Sequence, residues 1–189
     1  LNQGLAGLRF ENLTAGRMSP WRRDNSFWTS DGLLPNRRYD FRAQARNGDG
    51  EQTPFGPIGS AYTHANIPSA AVFMGITTRS IQVQWGSNAN PPGTLMLCEN
   101  VTAGANSGWT ILTAWDNTGL QPNAQYTFRV KAQNAAGVET GFSAETRKYS
   151  AIETPAGVVF GTITAGSIQV RSENTPAGLN RGGSGLQFE

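Results

Sequence analysis

Gln125-Tyr-Thr-Phe-Arg-Val-Lys-Ala-Gln-Asn134 alternates along its length. Tyr126, Phe128, Val130 and Ala132 fall on one face, and Thr127, Arg129 and Lys131 on the other, which is the period-2 pattern of a half-buried strand. Just ahead lies Gly119-Leu-Gln-Pro-Asn123, a turn led by a hydrophobic residue. The same arrangement occurs earlier as Gly32-Leu-Leu-Pro-Asn36 followed by Tyr39-Asp-Phe-Arg-Ala-Gln-Ala-Arg-Asn47. Tyr39 and Tyr126 therefore stand 87 residues apart.

Other residues keep that step. Ser80-Ile-Gln-Val83 returns as Ser167-Ile-Gln-Val170, Tyr62 as Tyr149, Pro68 as Pro155 and Trp28 as Trp115. Glu11-Asn-Leu-Thr-Ala-Gly16 returns as Glu99-Asn-Val-Thr-Ala-Gly104, one residue out of step. A repeat of this length marks a supersecondary or domain-sized unit. One whole unit spans residues 68–154. Strands are expected near Ala71–Ile76, over Ser80–Trp85 with Ile81, Val83 and Trp85 inward, and over Leu95–Glu99 with Met96 and Cys98 inward. One or two more are expected within Trp109–Trp115, then the Tyr126 strand, then Thr146–Ala151. Asn88–Gly93, Asp116–Gly119 and Ala136–Gly141 read as turns.

Seven short strands in one repeat, Trp85 in the second and Tyr126 behind a leucine-led turn together resemble a fibronectin type III domain. The resemblance implies an all-β fold of tandem immunoglobulin-like sandwiches, with Trp85 as the core tryptophan and Tyr126 as the corner tyrosine. It covers nearly the whole chain, but the flanking pieces are incomplete. Residues 1–67 hold the third strand onward: Gly7–Glu11, one or two strands within Trp21–Trp28, Tyr39–Asn47 and Ala61–His64. Residues 155–189 hold the first strand (Val158–Ile163), the second (Ser167–Arg171) and the third (Gly185–Glu189). Leu179–Glu189 aligns without a gap to Leu1–Glu11, so the chain begins and ends in the same phase.

The two flanks are complementary parts of one sandwich. Left alone, the tail exposes Val158, Val159, Phe160, Ile163, Ile168, Val170, Leu186 and Phe188, and the head exposes Leu8, Phe10, Tyr39 and Phe41. Full burial of such a side chain stabilises by ~1.5–3 kcal/mol, and open strand edges invite pairing. The expectation is that the tail of one chain completes the head of the next, an arrangement similar to donor-strand complementation; the alternative is a longer tandem array cut at these points. Head-to-tail contacts of that kind do not close, and so build a filament. The tail carries Ser172 where the whole unit has Trp85, a gap that either Trp21 or Trp28 fills or that leaves the composite domain weaker.

Composition narrows the chemistry. The chain has 189 residues, 23 of them glycine and 10 proline, and a net charge of +2. Residues 1–68 carry eight arginines against six acids, and 69–189 seven basic residues against seven acidic. The doublets Arg22-Arg23 and Arg37-Arg38 read as solvated surface rather than a nucleic-acid site. No run of about 18 apolar residues is present to span a membrane. The chain has no starting Met and no signal-peptide pattern, and reads as a mature or excised fragment. The single cysteine, Cys98, aligns with Phe10 and Phe188, which makes it a small core residue. The single histidine, His64, lies in a loop, so no catalytic thiol pair is expected. Asn47-Gly-Asp-Gly-Glu51 resembles a calcium loop only weakly and aligns with the plain turn after Asn134.

Two sequons, Asn12-Leu-Thr14 and Asn100-Val-Thr102, sit at equivalent positions. They read either as glycan acceptors or, preferably, as turns that close the third strand. Tryptophans on an outer face would offer a platform for cell-surface polysaccharide. No cofactor, metal or catalytic group is expected. The sequence thus points to a non-enzymatic extracellular or cell-surface structural protein, a self-assembling filament or surface-layer subunit. The alternative is a spacer or carbohydrate-associated module of a larger secreted protein.

Overall fold

A computed structural model of the chain describes residues 4–180 and 183–188. They form thirteen strands and no helix: β1 Gly7–Asn12, β2 Arg17–Met18, β3 Arg38–Arg46, β4 Gly59–Tyr62, β5 Val72–Ile76, β6 Ser80–Gln84, β7 Leu95–Asn100, β8 Ala105–Asn106, β9 Ala114–Thr118, β10 Gln125–Gln133, β11 Thr146–Tyr149, β12 Val158–Ile163 and β13 Ile168–Ser172. The chain divides into two compact units. One is Leu1–Asn66 with Asn88–Leu95 and Ala132–Thr140, and the other is Ile67–Ser87 with Met96–Lys131 and Gly141–Glu189.

The middle of the chain builds two antiparallel sheets, β5-β6-β9 and β11-β10-β7-β8. Alternation decides which side chains lie between them. Ile81, Val83 and Trp85 from one sheet, and Met96, Cys98, Tyr126, Phe128 and Val130 from the other, are all buried. Phe128 is the centre of that layer. Phe73 of β5 meets it edge-on at 5.7 Å between ring centroids, and Trp115 of β9 does so at 6.3 Å. Such aromatic contacts add to the area that each ring buries.

Among the described residues the head has one sheet, in the order β2-β1-β3-β4. Its register sets Phe10 opposite Ala43 and Asn12 opposite Phe41. Tyr39 is buried, but Leu8, Phe10 and Phe41 are only half-buried. The tail is a two-stranded hairpin, β12-β13, with Phe160 opposite Val170 and Ile163 opposite Ile168.

Several expected elements differ. Asp116–Thr118 is strand rather than turn, and the chain turns at Gly119, whose φ is +74°. The strand extends because Asn117 points inward and finds a partner there. Trp21–Trp28 forms no strand in the head beyond a single bridge, Leu8↔Arg22. Its counterpart Trp109–Trp115 likewise forms a single bridge, Met96↔Thr110, until β9 begins at Ala114. Gly185–Phe188 carries no strand either, and Glu189 lies outside the described residues. The counterpart β7 sits between β8 and β10 in its sheet, and the tail supplies neither neighbour.

Candidate assembly faces

The leucine-led turns hold both corner tyrosines in the same way. The backbone N–H of Gln121 donates to Tyr126 Oη at 2.8 Å, and that of Leu34 donates to Tyr39 Oη at 2.8 Å. The asparagine that ends each turn is left-handed, Asn36 at φ +46° and Asn123 at φ +44°, a conformation that asparagine tolerates better than most residues. Each then grips a loop. Asn36 Nδ2 donates to Thr94 Oγ1 at 2.8 Å, and Asn123 Nδ2 donates to the Gly178 carbonyl at 2.7 Å. The sequence marked these asparagines only as turn residues. Their shared position behind the repeated Leu-x-Pro was the available signal of a shared contact.

The tail hairpin repeats β5 and β6 but lacks their cover. Ile81 and Val83 are 0% exposed, whereas the equivalent Ile168 and Val170 are 57% and 41% exposed. Val158, Phe160, Ile163, Leu186 and Phe188 are exposed too, and Val159 is half-buried. On the head, Phe10, Phe41, Ala43, Phe27, Trp28 and Pro57 line an open groove of about 550 Å³. Trp28 and Phe41, which both line it, stand one repeat before Trp115 and Phe128. Trp21 lies elsewhere, between the guanidinium groups of Arg9 and Arg46 at 4.7 and 4.5 Å.

The outward faces are internally satisfied. Arg42 pairs with Glu11 at 2.5 Å and lies over the Phe55 ring at 3.8 Å. One repeat later Arg129 pairs with Glu99 at 2.7 Å and lies over Phe142 at 4.0 Å. Both arginine doublets sit beside carboxylates, Arg22 with Asp24 at 3.4 Å and Arg38 with Asp40 at 3.0 Å. All five tryptophans are buried or half-buried, with Lys131 over the Trp109 ring at 5.3 Å.

Asn12 and Asn100 are fully buried. Asn12 Nδ2 donates to Ser30 Oγ at 3.0 Å and Asn100 Nδ2 to Asn117 Oδ1 at 2.6 Å, while each side-chain oxygen accepts the N–H three residues on. These sequons therefore close turns, and a glycan on either nitrogen would displace the bond it makes. In the Asn47–Glu51 loop Asn47 Oδ1 accepts from the N–H groups of Asp49 and Glu51, as Asn134 Oδ1 does from Ala136 and Val138. Among the described residues no three His, Cys, Asp or Glu side chains gather as a metal site, and no helix is long and apolar enough to cross a membrane.

Cys98 is fully buried. Burial, and secondarily the Glu99 charge, pushes its thiol up from 9.0 to about 12. Between those values the unfolded chain has lost a proton that the folded chain keeps. Stability should therefore fall by about 1.4 kcal/mol per pH unit as pH rises through that window, with no loss from this group below it. At pH 8 an aromatic disulfide reagent should label Cys98 only in denaturant. Fast labelling of the native chain contradicts the assignment.

No family model matches the chain. Among curated proteins, integrin beta-4 of Mus musculus is 28% identical over 186 residues, covering 81% of this chain and 10% of its own length. Integrin beta-4 of Rattus norvegicus is 28% identical over 163 residues, covering 69% and 9%. The chain thus spans about a tenth of the curated relatives it matches. Similar solved structures include the fibronectin type-III domain of human fibronectin type III domain containing protein 3, with a TM-score of 0.42 and 17% identity over 48% of this chain and 90% of that one. The FN1-FN3 domains of chicken CNTN1 give 0.40 and 14%, over 79% and 55%. The strand order and the two tyrosine corners decide the fold. The fold is fibronectin type III-like. In that frame the middle of the chain is a two-sheet sandwich, and head and tail each carry strands of one.

Proposed function

We propose that the chain is a non-catalytic, extracellular or cell-surface scaffold subunit that assembles head to tail. The β12–β13 hairpin of one copy lies over the open face of the head sheet of the next. The observation that carries this reading is the contrast between Ile81 and Val83, sealed in the sandwich, and their repeats Ile168 and Val170, open to solvent. The same sandwich shows what covers such residues: the strands equivalent to β1 and β3. Phe160 would meet Phe41 and Trp28 as Phe73 meets Phe128 beside Trp115. The driving force is apolar burial, and strand pairing gives the register.

Deleting residues 156–189 tests this. Assembly should be lost, while the β5–β11 sandwich keeps its unfolding transition. Filaments that persist in the truncated chain would overturn the proposal. A second reading, a spacer segment of a longer protein, is favoured by the match to a tenth of integrin beta-4. Under it the 189-residue chain stays monomeric. A polysaccharide partner has less support, because Trp85 is buried and Trp21 and Trp109 lie against cations, which leaves only the half-buried Trp28 and Trp115.

A further inference from the structure

The first compact unit includes two loops of the second repeat, Asn88–Leu95 and Ala132–Thr140. Side-chain amides tie both to the head. Asn36, the left-handed residue behind the tyrosine corner, spans the two: its Nδ2 donates to Thr94 Oγ1 at 2.8 Å, and its Oδ1 accepts from the Ala135 N–H at 2.7 Å. Asn134 Nδ2 donates back to the Thr63 carbonyl at 3.0 Å. Asn90 makes a two-way pair with the Asn66 backbone, its Oδ1 accepting from that N–H at 2.7 Å and its Nδ2 donating to that carbonyl at 2.8 Å. Thr94, Asn90 and Asn134 are buried. Hydrogen bonds of buried polar groups are directional and costly to leave unmade. They therefore hold one arrangement, where an apolar contact lets its partners slide.

The next junction uses the same positions. Asn123, one repeat after Asn36, donates to the Gly178 carbonyl at 2.7 Å. Glu153 and Ala177 stand one repeat after Asn66 and Asn90, and the Ala177 N–H donates to Glu153 Oε2 at 3.1 Å. The side chain that bonds has changed sides, but the pair of positions is kept. A Cβ at Gly178 would lie 2.7 Å from the Pro122 carbonyl oxygen, so this loop too is seated directly on its turn.

We propose that the Leu-x-Pro-Asn turn of each repeat is a socket for the loop after the second strand of the next repeat, and that the junction is thereby a stiff lock instead of a free linker. The inference goes beyond assembly. It uses no chain end, and it holds for a filament subunit and for a spacer alike.

The lock is tested on the full chain with pairs of nitroxide labels and electron–electron distance measurement. Met18 of the head and Val138 of the second loop are both exposed, and the native Cys98 is buried. Met18→Cys with Val138→Cys should give one narrow distance distribution. Asn36→Gly should broaden it several-fold, because glycine accepts the left-handed backbone and so keeps the turn while removing both side-chain bonds. Thr94→Val, which takes away the partner from the loop side, should act in the same direction. Met18→Cys with Ile58→Cys, both on the head, is the pair that stays narrow throughout. A broad Met18–Val138 distribution in the parent, or a width that neither substitution changes, overturns the lock. Either result leaves the complementation reading to its own test, the native mass.

Discussion

Phe128→Ala should destabilise the β5–β11 sandwich by about 3–5 kcal/mol, the cost of emptying a fully buried phenylalanine site. Phe128 is 0% exposed and carries the edge contacts from Phe73 and Trp115, so one truncation removes both aromatic contacts between the two sheets. A loss of that size is a large part of the ~5–15 kcal/mol that holds a typical domain folded. For a sandwich of about this size each kcal/mol moves the thermal midpoint by ~4–8 °C. Phe41→Ala, at the same place in the repeat, should leave that transition unmoved, because Phe41 belongs to the other compact unit. Its effect should appear in assembly. Urea unfolding of the two variants, followed by Trp fluorescence, separates these outcomes. Equal losses from both would contradict the assignment of Phe128 as the core centre and Phe41 as an open face.

Val170→Asp should abolish assembly without destabilising the isolated chain. Val170 is solvent-exposed in the single chain, and substitutions at such sites usually change stability by no more than ~0.5 kcal/mol. In the assembled state it would occupy the position of Val83, which is sealed. An unpaired buried carboxylate costs several kcal/mol, and each ~1.4 kcal/mol is tenfold in affinity. Association should therefore weaken by about 100-fold or more. Sedimentation velocity at matched concentrations reads the difference directly. A Val170→Asp chain that assembles like the parent would show that this face is not the one covered. The contrast with Val83→Asp, which should unfold its sandwich, makes the point from one side chain type in two settings.

Much of this was legible in the chain itself. Alternation in Gln125–Asn134, with its earlier copy, was enough to place β10 and β3. Ile81, Val83, Met96 and Cys98 could be assigned inward because strand parity and the repeat agreed. The failures have different physical causes. Trp21–Trp28 and its repeat Trp109–Trp115 are strand-like in composition, yet each makes a single bridge, Leu8↔Arg22 and Met96↔Thr110. Gly185–Phe188 has neither neighbour that its counterpart β7 has in its sheet. Asp116–Thr118 was misread because Asp-Asn-Thr-Gly has turn composition, whereas its pairing with β6 and the inward contact of Asn117 with Asn100 keep it in the sheet. The burial of Asn12 and Asn100 followed from parity once the strand reached that far. The grips made by Asn36 and Asn123 depend on loops distant in sequence, and the repeated Leu-x-Pro-Asn marks only their shared position.

The central claim is that the open faces of head and tail belong together in different copies. The most direct test is the native mass of the unmodified 189-residue chain by multi-angle light scattering across a wide concentration range. Complementation predicts a mass that climbs with concentration through multiples of 20.2 kDa. A constant 20.2 kDa at every concentration would contradict it and leave the spacer reading in its place.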